Sequence, residues 1–136
     1  MYRDPNKKDT LLVVDDNAPF RRLIAAWLYQ AGYDVIQAEH GQEALEQLVQ
    51  QPVDAVIIDL QMEPLGGFHF RDALVDTKFE KIPCILVTAD SSSDVLMRAS
   101  RAGFAGVMKK PVEKERLLQL VAMRLSRRPA MEKQAA

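Results

Sequence analysis

Five polar side chains in this 136-residue chain stand where apolar runs stop. Asp15 and Asp16 follow Leu11-Leu12-Val13-Val14, and Asp59 closes Ala55-Val56-Ile57-Ile58. Thr88 closes Cys84-Ile85-Leu86-Val87, and Lys110 lies just beyond Ala105-Gly106-Val107-Met108, with Lys109 before it and Pro111 after it. Three carboxylates brought together repel, and at neutral pH the arrangement is costly without a cation or a proton. Mg²⁺ suits such a site, because it prefers oxygen ligands and typically binds through a couple of carboxylates plus a phosphate oxygen. A lysine and a hydroxyl on neighbouring strand ends would contact the other oxygens of a phosphoryl group, whose transfer depends mostly on positioning and charge neutralisation. One carboxylate could itself be the nucleophile, giving an aspartyl phosphate.

Whether these residues meet depends on the elements that carry them. Most of the apolar runs are continuous rather than alternating, which is expected of parallel strands covered by helices on both faces. Asp34-Val35-Ile36 adds another strand, ending blandly at Ala38. Between the runs lie segments of helical period. Phe20, Leu23, Ile24, Trp27, Leu28 and Ala31 form one stripe, with Asn17 as cap, Pro19 in the first turn and Gly32 at the end. Ala44, Leu45, Leu48 and Val49 mark a second helix opening near Gly41 and stopping before Pro52, and a third is expected from about Gly67 to Val75. Ser91-Ser92-Ser93-Asp94 can cap a fourth that carries Leu96 and Ala99 and ends near Gly103, while Leu118, Val121, Ala122 and Leu125 define a fifth. The fold class is therefore α/β, a (βα)5 chain wound on both faces of one five-stranded parallel sheet. In open sheets of this kind, polar chemistry sits at the carboxyl ends of the strands where the order reverses, and an order 2-1-3-4-5 would bring Asp15, Asp16 and Asp59 together there.

Composition narrows the function. At about 150 residues per domain, 136 residues make one domain and leave no room for a second, so residues 10–126 are taken as the domain and 1–9 and 127–136 as polar tails. With 48% hydrophobic and 27% charged residues, disordered and fibrous classes drop out. The net charge of −1 offers no global field for nucleic acid or anionic lipid. A single cysteine, Cys84, excludes an internal disulfide and fits a reducing cytoplasm. The polar start and the lack of ~20 consecutive apolar residues argue against a signal peptide or a membrane span.

The pieces LLVVDD, the Ala38 to Leu45 stretch AEHGQEAL, AVIIDLQM with Gly67 eight residues after Asp59, LVTAD and AGFAGVMKKP occur in that order over roughly residues 10–125. Together they resemble a response-regulator receiver domain, the phosphoacceptor half of a bacterial two-component system. The resemblance implies a flavodoxin-like fold with Asp59 as phosphoacceptor. It implies Mg²⁺ held by Asp16, Asp59 and the backbone carbonyl of Gln61, with Asp15 acting from farther out or through water. Lys110 would pair with a phosphoryl oxygen next to a cis bond to Pro111, and Thr88 would bond the phosphoryl group and draw its loop inward as the switch. The implied partners are a sensor histidine kinase or a histidine phosphotransfer protein, and an unnamed downstream protein reached through the fourth helix, fifth strand and fifth helix. Its chemistry would be limited to accepting the phosphoryl group and hydrolysing it.

Three positions depart from the family pattern. Val107 stands where an aromatic residue is common three places before the lysine, Glu63 interrupts the usual Met-Pro as Met62-Glu63-Pro64, and the positions that tune dephosphorylation carry Gln61 and Asp90. Val107 and Glu63 motivate the alternative of a pseudo-receiver, a constitutive interaction module that does not use Asp59. A flavin protein or enzyme on the same fold is disfavoured by the lack of a phosphate loop after the first strand. Plainer readings apply elsewhere. Asp15-Asp16 taken alone could cap a helix, Cys84 reads as a buried small hydrophobe, and His40 and His69 have no partners at metal-ligand spacing. The basic cluster Arg124, Arg127 and Arg128 matches a helix C-terminus. Leu117, Leu120 and Met123 exceed what one core face needs, and that surplus suggests a dimer or partner surface.

Overall fold

The computed structural model describes residues 6–126. Strand and helix alternate five times: β1 (Thr10–Val14), α1 (Ala18–Gln30), β2 (Asp34–Ala38), α2 (Gly41–Gln50), β3 (Ala55–Asp59), α3 (Gly67–Ala73), β4 (Cys84–Thr88), α4 (Ser93–Ala102), β5 (Gly106–Lys109) and α5 (Lys114–Ser126). The strands form one parallel sheet in the order β2-β1-β3-β4-β5, the expected doubly wound arrangement. Residues 1–5 of the expected N-terminal tail and the whole expected C-terminal tail, 127–136, with Arg127 and Arg128 of the basic cluster, lie outside the described residues.

The apolar runs become the three central strands. β1, β3 and β4 are buried nearly end to end, because helices cover both of their faces. Edge strand β2 is half exposed, with only Ala38 buried. On one side of the sheet Leu11, Val13, Ile57 and Ile85 pack against Ile24 and Leu28 of α1 and Leu117, Val121 and Leu125 of α5. On the other, Leu12, Val14, Val56 and Ile58 meet Ala44 and Leu48 of α2 and Phe70 of α3. A smaller cluster of Phe68, Leu86 and Ala99 seats α4. Fully burying each such large side chain contributes ~1.5–3 kcal/mol.

The helix starts follow local capping chemistry. Asn17 accepts from the Phe20 N–H at 3.0 Å, Ser92 accepts from Val95 N–H at 3.4 Å, and Gly103 closes α4 at φ +89°. His40, which has no partner at metal-ligand spacing, caps α2 by accepting the Glu43 N–H on Nδ1 at 3.2 Å.

Some stripes differ from expectation. α3 stops at Ala73, not near Val75, because the N–H groups of Leu74 and Val75 turn back to the carbonyls of Arg71 and Asp72, three residues earlier, and Asp76 then adopts φ +62°. In α5 the core line is Leu117, Val121 and Leu125, spaced by four, while Ala122 is exposed and Leu118 half-buried. Leu117 thus belongs to the core, and Leu120 lies against Gly106, so Met123 alone of that trio is exposed. Leu23, Val49 and Leu96 also face solvent, Val49 at 74% exposure, because each helix needs only a narrow apolar stripe.

Candidate functional site

Parallel strands joined by crossovers all end at the same edge of a sheet, so their next residues share one crevice. Here Val14 is level with Ile58, Asp59 with Val87, and Thr88 with Lys109. This register gathers Asp15, Asp16, Asp59, Thr88 and Lys110. One carboxylate oxygen from each of the three aspartates lies within 4.8 Å of the others. The Lys110 Nζ bridges two of them, at 3.0 Å from Asp15 Oδ2 and 3.2 Å from Asp59 Oδ1. The Lys110–Pro111 peptide bond is cis, as expected, and so is Glu63–Pro64, which sequence reasoning did not anticipate.

Each member is held locally. Asp15 is buried, and its Oδ1 accepts from the Asn17 N–H at 2.9 Å. Thr88 is buried, its Oγ1 accepts from the Asp90 N–H at 2.9 Å, and its carbonyl accepts from the Lys110 N–H at 2.9 Å, tying β4 to the lysine. Gly67 lets α3 begin directly against β3, since a Cβ there would sit 2.9 Å from both the Asp59 carbonyl oxygen and Leu86 Cδ1. Asp59 is only 8% exposed. It opens onto a recess of about 300 Å³ that Gln61, Thr88, Asp90 and Lys110 also line.

The electrostatics show charge that is only partly balanced. Burial pushes the Asp59 carboxyl above its ordinary range, the charge of Asp15 pushes it further, Lys110 pulls back and Asp16 adds a smaller push. Burial alone would pull the Lys110 ammonium down, but the hydrogen bond and charge of Asp15, followed by those of Asp59, outweigh it and hold the lysine above its usual range. One cation that contacts two of three clustered carboxylates leaves a site whose donor set fits a hard divalent ion.

Family comparison agrees with this geometry. The model of the response regulator receiver domain matches residues 11–122. The chain belongs to that family. The receiver is 36% identical over 104 residues to the chemotaxis protein CheY1 of Helicobacter pylori, covering 74% of this chain and 84% of that one. It is 35% identical to part of the sensor kinase/phosphatase CqsS of Vibrio cholerae and 34% to part of the transcriptional regulatory protein GlrR of Escherichia coli, covering 82% and 85% of this chain. It spans only 17% and 26% of the length of those two relatives. Among solved structures, the chemotaxis regulator CheY4 of Vibrio cholerae superposes with a TM-score of 0.81 at 28% identity, covering 87% of this chain and 99% of that one. Receivers of this family are signalling switches in two-component systems rather than conventional enzymes. No helix among the described residues is long and apolar enough to cross a membrane.

The residues that departed from the family pattern now have places. Glu63 is exposed and lines a groove of about 730 Å³ beside the Asp59 recess, together with Leu60, Phe68 and Arg98. Val107 and Phe104 both pack on the α4 cluster, where the Phe104 ring meets Phe68 edge-on at 5.9 Å. His69 is exposed in the same groove, and Cys84 is fully buried with its thiol pushed up to about 12 by burial.

Sequence reasoning missed two supports of this receiver's site. Phe20 presents its ring 4.4 Å from Lys110 Nζ. Arg21, on α1, is buried and donates from Nη1 to the Asp15 carbonyl at 2.8 Å and from Nε to Gln37 Oε1 at 3.1 Å. The signal for Arg21 was legible: it shares a helical stripe with Ile24 and Leu28, where an apolar residue would be expected.

Proposed function

We propose that this receiver is a phosphoacceptor switch in which Asp59 takes a phosphoryl group from a sensor histidine kinase or a histidine phosphotransfer protein. The observation that carries the reading is Asp59 itself, a buried carboxylate at the end of β3 that touches Lys110 and crowds Asp15 and Asp16. An Asp59 oxygen attacks the phosphorus while the bond from phosphorus to the donor's imidazole nitrogen breaks and the imidazole leaves with its electron pair, taking up a proton. Asp16, Asp59 and the Gln61 carbonyl would hold Mg²⁺, with Asp15 farther out. Bound there, the ion neutralises charge on the transferring group. Lys110, already aimed between Asp15 and Asp59, supplies the second positive contact. The Thr88 hydroxyl turns toward the phosphoryl group and carries the Asp90 loop with it, since the two are hydrogen-bonded. Water later hydrolyses the aspartyl phosphate and resets the switch.

Residues 10–126 form the functional unit of this reading, acting in the cytoplasm without nucleic acid or membrane contact. Output runs through α4, β5 and α5 to another protein, or to a second copy of the chain. The range of relatives, which includes a chemotaxis protein, part of a sensor kinase/phosphatase and part of a transcriptional regulator, is compatible with several downstream targets. The test is incubation with Mg²⁺ and acetyl phosphate followed by intact mass measurement. A labile phosphoryl adduct absent from Asp59→Asn is expected. A folded chain that gives no adduct with acetyl phosphate or with a cognate kinase would instead be the pseudo-receiver.

A further inference from the structure

Arg21 occupies an energetically unfavourable place. It is 7% exposed, so its charge has been taken from water, and it closes the first turn of α1, the end of a helix that disfavours cations. Helix stability does not explain it, and neither does core packing, since an apolar residue would fill the Ile24 and Leu28 stripe without either cost. What the guanidinium does is fixed by its contacts: Nη1 holds the Asp15 carbonyl, and Nε is held by Gln37 of β2.

That carbonyl belongs to the peptide unit leading into Asp16. The unit is planar, so holding its oxygen fixes the plane from which the Asp16 chain departs. Asp15 is independently anchored through its carboxylate, by Lys110 and by the Asn17 N–H. Asp16 has no such anchor: it is exposed, and no hydrogen bond or ion pair among the described residues involves its carboxylate. Its position in the acidic cluster is therefore set by the backbone, which the Asp15 carboxylate braces from within the turn and Arg21 braces from α1.

We propose that Arg21, aligned by Gln37, is a positioning residue that presents Asp16 to a divalent cation and so sets the metal affinity of the receiver. The inference rests on the reading of the acidic cluster as a Mg²⁺ site. Groups that orient ligands in this way typically change metal affinity by ~10–100-fold when removed.

The experiment measures Mn²⁺ affinity by electron paramagnetic resonance, with Mg²⁺ as competitor, on the wild type, Arg21→Gln, Arg21→Lys and Gln37→Leu, each checked for folding by melting in chelator. Arg21→Gln should weaken binding by ~10-fold. Gln37→Leu, an exposed change on an edge strand, should weaken it by a smaller factor. Arg21→Lys keeps the charge and one donor but loses the two-pronged hold, and should fall between Arg21→Gln and the wild type. Adduct formation should return to the wild-type level at saturating Mg²⁺, a recovery that general damage to the fold would not give. Wild-type affinity in folded Arg21→Gln overturns the proposal, and should that variant fail to fold, wild-type affinity in Gln37→Leu does so. A wild-type chain that binds no Mn²⁺ sinks the underlying metal-site reading, an outcome visible before any variant is made.

Discussion

In the absence of metal, replacing Asp59 by asparagine should stabilise the receiver. The Asp15 and Asp59 carboxylate oxygens lie within 4.8 Å, so at an effective dielectric of about 20 their repulsion is roughly 3.5 kcal/mol. Asp16 is exposed, and at the dielectric of water its share is only about 1 kcal/mol. Against these, Lys110 at 3.2 Å attracts Asp59 by about 5 kcal/mol at the same effective dielectric, less some screening because the lysine side chain is 25% exposed. The charge terms nearly cancel, so the cost of taking the Asp59 charge out of water decides the sign. Asparagine removes that cost, and Lys110 keeps its partner Asp15 at 3.0 Å, so no buried charge is left alone.

A gain of ~1 kcal/mol, or about 4 °C in Tm for a domain of this size, is expected at neutral pH in chelator. The pH dependence has a definite sign. The folded carboxyl of Asp59 lies above its ordinary value of 3.8, so between those two values the folded chain binds more protons than the unfolded one. The penalty from ionised Asp59 is present above the folded value and fades as pH falls through it. Thermal melts of both proteins in EDTA, at neutral pH and near pH 4, should show an advantage for Asp59→Asn that shrinks with acid. Saturating Mg²⁺ at 100 times its dissociation constant should add about 2.7 kcal/mol to the wild type and less to the variant. A variant that melts several degrees lower than the wild type in EDTA at neutral pH would refute the reasoning, because Lys110 would then outweigh both the repulsion and the burial cost.

Lys110→Met removes the cation that contacts Asp15 and Asp59 and should cost ~2 kcal/mol at neutral pH in chelator, with the deficit narrowing in acid as Asp59, whose carboxyl lies above its ordinary range, takes up a proton; denaturant titration at two pH values measures it. The Cβ of Gly67→Ala would meet backbone and Leu86 at 2.9 Å, so ~1–3 kcal/mol of destabilisation and a lower adduct yield at fixed Mg²⁺ are expected, readable by melting and intact mass. Arg71 is buried with Nε and Nη1 lacking hydrogen-bond partners, so Arg71→Met should leave stability within ~1 kcal/mol of the wild type or raise it, and a loss of several kcal/mol in denaturant titration would contradict that reading.

The parallel α/β class and the delivery of the acidic residues to one edge were legible because they follow from short-range rules, whereas the order 2-1-3-4-5 was carried by the fold family rather than by any local signal. Unbroken runs such as Val56-Ile57-Ile58 require cover on both faces, helices between them require parallel strands, and parallel strands deliver Asp15, Asp59, Thr88 and Lys110 to one edge. Helix faces were less legible. Leu117 and Leu118 are adjacent leucines, and nothing local says that 117 faces the sheet and 118 its flank; the angle at which α5 packs on Val13 and Val87 selects between them. The end of α3 was likewise a matter of backbone geometry, since Leu74 stays buried although the helix has already tightened into a turn there.

The sequence by itself determined the class of fold, the set of polar residues at the strand ends and the family they resemble, because each is written in residue type and spacing along one chain. Tertiary structure alone decided how those residues are held. That Lys110 bridges Asp15 and Asp59, that Phe20 faces it, and that Arg21 reaches back to the Asp15 carbonyl with Gln37 behind it are contacts between elements distant in the chain or set by one rotamer. Contacts of this kind depend on three-dimensional distance, which carries no fixed period in sequence.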